Sequence, residues 1–363
     1  LRMGVDPNYQ HPEYFTAPLF DAIRNGHLEV IDCLLQHGAH AHVKEDYTGK
    51  TPLVLAMEEK RHAVVDRLLK ILPEKERTPV KNIVVTGGNR GIGKAIAQQC
   101  LEQGHQVLIT ARSTEKAAQA QEELRIATGN QKVSYVVGNL SSVQATKALG
   151  LAIVQAFPTI QVLIHNAGHW PAERQLNEDG LELAFMVNFL APYLLTEELL
   201  PGLKKQVAAR IVLVNAGLYP LGRPDPQTTP TGDDFHRIRT YAATKQVSVF
   251  HLQELAERLK GSTVTVNAVH PGIIDTGLGD SPLFLSRLVK WMKRFWKKPS
   301  YGALAPCYLA LHPDLEGING HYYQEQQAIP LAEKVKDPIK RAAWKHWTES
   351  FLQKQANTKP LST

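Results

Sequence analysis

The chain has 363 residues, 43% of them hydrophobic and 21% charged, a balance that supports a packed core and excludes a disordered chain. No apolar run reaches the roughly 18 residues of a membrane-crossing helix, and Cys33, Cys100 and Cys307 lie far apart without CxxC or Cys/His spacing. An integral membrane protein, a disulfide scaffold and a structural zinc site are thereby set aside, and a reducing, cytoplasmic compartment fits.

The first pattern along the chain is a repeat of 34 residues: Pro18-Leu19 returns as Pro52-Leu53, Ala22 as Ala56, and Leu34-Leu35 as Leu68-Leu69. Pro52 follows Thr51 at what reads as a first helical position, Asn25-Gly26-His27 separates one helix from the next, and Gly38 is a helix stop. These residues resemble the ankyrin repeat over about residues 1–72, a small all-α domain. Glu58-Glu59-Lys60-Arg61 stands where such repeats usually turn on glycine. The same offset maps Leu1 onto Leu35, so the chain opens inside a repeat whose head is expected upstream. The resemblance implies a protein-binding surface; the alternative is a pair of repeats that buttresses the next domain.

Residues 73–79, charged and bounded by Pro73 and Pro79, read as a linker. From residue 80 to 363 the pattern becomes strands alternating with helices. Strands are expected at Asn82–Thr86, Gln106–Thr110, Val133–Val137, Gln161–Ile164, Arg210–Val214 and Val264–Val269, with a helix over about Ile92–Glu102. This alternation predicts an α/β domain, and continuously apolar strands predict a parallel sheet covered on both faces.

Thr86-Gly87-Gly88-Asn89-Arg90-Gly91-Ile92-Gly93 lies between the first of these strands and its helix, where glycines let the backbone approach a pyrophosphate. Asn166-Ala167-Gly168, Asn188, Tyr241-Ala242-Ala243-Thr244-Lys245 and Pro271-Gly272 follow in order. Together they resemble the short-chain dehydrogenase/reductase family over about residues 80–350, with features of retinol dehydrogenases and carbonyl reductases. The resemblance implies a Rossmann-like doubly wound sheet. It also implies a nicotinamide cofactor bound by Gly87, Asn89, Arg90, Gly91, Ile92, Gly93, Arg112, Asn139, Leu140, Asn166, Ala167, Gly168, Tyr241, Lys245, Pro271, Gly272 and Thr276. The family's Asp-Leu after the third strand is here Asn139-Leu140. The second strand ends Thr110-Ala111-Arg112 with no acid for the ribose hydroxyls, and Arg112 with Arg90 suits the 2′-phosphate of NADP(H).

Tyr241 and Lys245, four residues apart, share a helix face, and the ammonium is expected to lower the tyrosine pKa for proton exchange. The family resemblance gives Lys245 the nicotinamide ribose and Asn188 a water relay. It also places a serine hydroxyl at Ala216, where Val214-Asn215-Ala216-Gly217 has none. Asn215, on the opposite face of the strand, and Tyr219 are the candidates to replace that donor.

Residues 281–298 carry apolar Phe284, Leu285, Leu288, Trp291, Met292 and Trp296 at helical spacing. Arg287, Lys290, Lys293, Arg294, Lys297 and Lys298 lie between them, with no acid. These six cations equal the net charge of +6, which leaves the rest balanced and argues against nucleic acid. The stretch reads as a pocket lid or as a contact to an anionic membrane surface. The reading is an NADP(H)-dependent oxidoreductase acting on an apolar carbonyl or alcohol. Its alternative is an NADP(H)-binding pseudoenzyme that recruits a partner through the repeats.

Overall fold

The computed structural model describes residues 6–9, 16–41, 45, 50–59, 61–71, 80–272 and 299–358. The expected linker, Thr276 and the basic stretch 281–298 lie outside them. The chain divides into two compact units, Leu1–Val80 with Glu102–His105, and Lys81–Leu101 with Gln106–Thr363.

In the first unit, α1 (Pro18–Asn25), α2 (Leu28–Gln36), α3 (Pro52–Glu58) and α4 (His62–Ile71) form two helical pairs. Gly26 ends α1 at φ 71°, a left-handed turn that glycine takes without a Cβ penalty. Thr51 caps α3 by accepting from Val54 N at 3.3 Å. Phe20, Ile23, Ile31, Leu53, Ala56 and Leu68 fill the shared core. Where the second repeat lacks a glycine turn, Arg61 reaches back and donates through Nη2 to Arg24 O at 2.5 Å. Asn8 ties the incoming chain to Gly38 O (2.9 Å) and His40 N (2.7 Å).

The second unit is built on an eight-stranded sheet in the order β3-β2-β1-β4-β5-β6-β7-β8. Its strands are β1 (Asn82–Val85), β2 (Gln106–Ala111), β3 (Val133–Val137), β4 (Val162–His165), β5 (Ala209–Val214), β6 (Val264–His270), β7 (Tyr322–Gln324) and β8 (Gln327–Ile329). All neighbouring strands pair in parallel except β8, which runs antiparallel to β7. Side chains alternate between faces along each strand. Val84, Leu108, Leu163 and Ile211 therefore enter one core, and Ile83, Val85, Ile109 and Ile164 the other. Helices α7 (Val143–Ala156), α8 (Leu183–Leu203), α9 (Arg237–Arg258) and α11 (Pro338–Thr358) contribute to the first core. α5 (Gly91–Glu102), α6 (Thr114–Thr128) and α10 (Pro299–Leu311) contribute to the second. Since β1 pairs with β2 on one side and β4 on the other, a crevice opens at their carboxyl ends.

The six strands expected from sequence are present, and β7 and β8 are additional. α8 is long and apolar enough to cross a membrane although polar residues interrupt its apolar run; here it is a core helix, largely buried. Within it, Met186–Leu190 winds as a π turn, in which Ala191 N donates to Met186 O five residues back.

Candidate functional site

Two turns meet at the crevice. The first leaves β1 through Thr86 and Gly87 and enters α5 at Gly91; the second leaves β4 through Asn166. Thr86 Oγ1 accepts from Asn166 N and Ala167 N, both at 3.0 Å, and Asn166 Nδ2 donates to Thr86 O at 3.0 Å. A Cβ on Gly93 would lie 2.3 Å from both Asn166 Nδ2 and Gly87 O, and Gly87 holds φ 64°. Only glycine fits this packing, which leaves the amino end of α5 facing the crevice. Such a cradle fits a nicotinamide dinucleotide: backbone N–H groups and the helix dipole favour a pyrophosphate. The expected residues Asn89, Arg90, Gly91 and Ile92 all lie in this turn and the first turn of α5.

At the end of β2, Arg112 is exposed, as is Arg90, and no carboxylate lies beside Arg112 in the strand end. Burial pushes the His169 imidazole down, and Arg112 adds to the effect, which places the guanidinium's field over the end of β4. Asn139 is exposed, its Oδ1 accepting from Ser141 N at 3.1 Å, and Leu140 is half-buried against the core. Pro271 and Gly272 follow β6, Gly272 at φ 91°.

The other side of the crevice is set by α8 and α9. His236 caps α9 through Nδ1 and starts the helix that carries Tyr241 in its second turn and Lys245 one turn later. Lys245 Nζ donates to Val214 O at 3.0 Å and lies 5.8 Å from the Tyr241 ring centroid. The π turn presents Asn188, whose Oδ1 accepts from His169 N at 2.7 Å. Its Nδ2 donates to His169 O (2.8 Å) and Thr244 Oγ1 (3.1 Å). A Cβ on Gly168 would lie 3.5 Å from Asn188 Oδ1 and 3.9 Å from Lys245 Nζ, so the two side chains converge on that glycine.

The electrostatics differ from the expectation that Lys245 lowers the tyrosine pKa. Trp170 stacks on the Tyr241 ring at 4.2 Å and 22°, and burial pushes the phenol well above its usual range. Burial also brings Lys245 down to about 8. Desolvation disfavours both charged forms and outweighs the attraction between them.

The serine position holds Ala216, half-buried, its N–H donating to Asn215 Oδ1 at 2.7 Å and its carbonyl accepting from Tyr322 Oη at 3.1 Å. Asn215 is buried and spends Nδ2 on Lys245 O at 3.2 Å, and Tyr219 Oη accepts from Ala332 N at 3.0 Å. Sequence reasoning missed Trp170, Thr244, His270 and Tyr322. His270 packs where a Cβ on Gly217 would lie 2.9 Å from its Nε2. Only Thr244, inside the Tyr-x-x-x-Lys stretch, carried a local signal.

Comparison with known proteins agrees with this architecture. The short chain dehydrogenase family model matches residues 81–282, and a model of three ankyrin repeats matches residues 1–78. The chain belongs to the short chain dehydrogenase family of oxidoreductases, here preceded by ankyrin repeats. Among its relatives, retinol dehydrogenase 14 of Mus musculus is 34% identical over 285 residues, 73% of this chain and 84% of that protein. Dehydrogenase/reductase SDR family member 13 of Bos taurus is 32% identical over 280 residues, 74% of this chain and 72% of that protein. L-sorbose reductase from Gluconobacter frateurii, solved with NADPH and L-sorbose, shares the fold, with TM-score 0.55 at 18% identity over 68% of this chain and 94% of that one.

Proposed function

We propose that the chain is an NADP(H)-dependent oxidoreductase that reduces the carbonyl of an apolar substrate, or in reverse oxidises the alcohol, with Tyr241 as proton donor. The observation that carries this reading is the convergence of Lys245 Nζ and the Asn188 amide on Gly168, with the Tyr241 ring beside Lys245. When bound, the nicotinamide supplies the hydride. The turn from Gly87 to Gly93 would hold its pyrophosphate, Arg90 and Arg112 its 2′-phosphate, Asn139 and Leu140 its adenine, and Lys245 its ribose. Thr276, outside the described residues, belongs to the same expectation.

A phenol kept protonated by burial is present as a donor at neutral pH. The alkoxide that develops on the substrate is a stronger base than a phenolate, so the proton moves downhill from Tyr241 Oη. The Lys245 ammonium, close to half-populated at pH 8, then favours the phenolate left behind. The Trp170 indole supplies an apolar wall beside the phenol, and the retinol dehydrogenases among the relatives support an apolar substrate. Loss of the serine hydroxyl at Ala216 slows this reaction by about 10²–10³, the worth of one positioned donor. Ala216 is also the observation that favours the second reading, an NADP(H)-binding protein that recruits a partner through its repeats.

NADPH consumption against a panel of aldehydes, ketones and retinoids tests the choice. Turnover that is lost in Tyr241→Phe is expected. NADPH binding without turnover on any member of the panel would replace the first reading by the second.

A further inference from the structure

α5, the helix that starts at the nucleotide turn, packs against α10, and two of the three cysteines meet between them. Cys100, in the third turn of α5, is 0% exposed and Cys307, in α10, 5%. Their Sγ atoms lie 3.9 Å apart, although 207 residues separate them in the chain. Cys307 Sγ also approaches Ile96 O at 3.8 Å, and Gln99 Nε2 donates to Ser300 O at 2.7 Å, so the two helices are tied beside the pair. Neither cysteine is in a disulfide, and no group of three metal-ligating side chains occurs among the described residues. Neither cysteine takes part in the chemistry assigned to Tyr241.

We propose that Cys100 and Cys307 are an oxidation-sensitive pair that closes to an intramolecular disulfide when a peroxide reaches them. Cys307, the less buried residue, attacks the peroxide O–O bond through its sulfur and becomes a sulfenic acid, releasing one water. Cys100 Sγ then attacks that sulfur, the S–O bond breaks, and a second water leaves with the remaining thiol proton. The two thiols together lose two electrons and two protons, and hydrogen peroxide is reduced to two waters. Closure draws the sulfurs from 3.9 Å to about 2.0 Å, through rotation of the two side chains and a shift of α5 and α10 towards each other. Since the glycine turn is the amino end of α5, the shift reaches the cradle, and oxidation weakens cofactor binding. This last step rests on the proposed nicotinamide site.

The test treats the full chain with hydrogen peroxide, unfolds it, alkylates free thiols and locates the products by mass spectrometry. Exposed Cys33 serves as an internal control for the oxidant dose. The expected product is a Cys100–Cys307 linked peptide, released by dithiothreitol and absent from Cys100→Ala and Cys307→Ala. NADPH affinity should fall severalfold in the oxidised chain and recover on reduction. Recovery of Cys100 and Cys307 as alkylated thiols at a dose that oxidises Cys33, or as separate sulfinic acids, overturns the proposal. A linked peptide with unchanged NADPH affinity overturns the coupling to the turn. Absence of NADPH binding in the reduced chain overturns the cofactor site instead, and the disulfide is then judged by mass alone.

Discussion

Ala216 has its backbone fully engaged, N–H to Asn215 and carbonyl to the Tyr322 hydroxyl, so a change confined to its side chain disturbs neither bond. Ala216→Ser adds one oxygen at a half-buried strand end, and steady-state kinetics should record a rate gain of about 10² on a carbonyl substrate. Tyr241→Phe in that background should abolish the gain, because an anchored carbonyl without a proton source does not react. A serine variant no faster than its parent would place the substrate hydrogen bond elsewhere. Arg112 has a distinct role, discrimination between cofactors. Calorimetric titration should find NADPH tighter than NADH, and Arg112→Ala should narrow the difference by about tenfold or more, the scale of one charge-assisted hydrogen bond. Equal affinities in the unaltered chain would remove the basis for preferring NADP(H).

Between β4 and α9 the second unit buries two neutral histidines. Desolvation brings both His165 and His251 to about 3, with His251 adding to the effect on His165 and Arg258 to the effect on His251. His165 Nε2 pairs with Thr196 Oγ1 at 2.9 Å, while His165 Nδ1 and His251 Nε2 have no hydrogen-bond partner among the described residues. An unfolded histidine titrates near 6.5, so between that pH and about 3 the unfolded chain binds more protons than the folded one. The stability is complete above about pH 6.5 and drains as pH falls, by up to about 1.4 kcal/mol per unit for each histidine. Urea unfolding should therefore show a lower midpoint at pH 5.5 than at pH 7.5, and His251→Phe should flatten the difference; an unchanged slope would mean that His251 finds water in the folded state. At this scale the sequence was readable wherever an element carried its own pattern. Six strands announce themselves as apolar runs, and Gly26 and Pro52 mark helix ends by their backbone preferences. β7 and β8 have three residues each, too few for a period, and exist because β6 offers Tyr322 and Tyr323 an edge. Pro201 and Pro306 read as breakers yet lie inside α8 and α10. The site divides in the same way. The glycine turn, Tyr241 and Lys245 are local motifs, whereas Trp170, His270 and Tyr322 acquire their places only through tertiary contact.

Charge is a property of the whole molecule, and it is concentrated. The six cations between residues 281 and 298 match the entire excess of +6, so the remainder of the chain carries no net charge. With tryptophans interleaved, the stretch suits the headgroup layer of an anionic membrane. The full chain should sediment with vesicles containing anionic phospholipid at low salt and be released at high salt, since such attraction is screened. Failure to sediment would leave the stretch as a cover for the substrate pocket. The ankyrin unit has its own core and its own caps.

The π turn of α8 stores one residue more than regular winding requires. Excising one of Met186–Leu190 would restore regular winding while both halves of the helix keep their faces, so Leu194, Leu195 and Leu199 would stay in the core. Asn188 would lose the turn that presents it to Thr244 and the His169 backbone. Deletion elsewhere in α8 meets no such slack and would rotate one half of the helix against the other by about 100°, the turn of one residue.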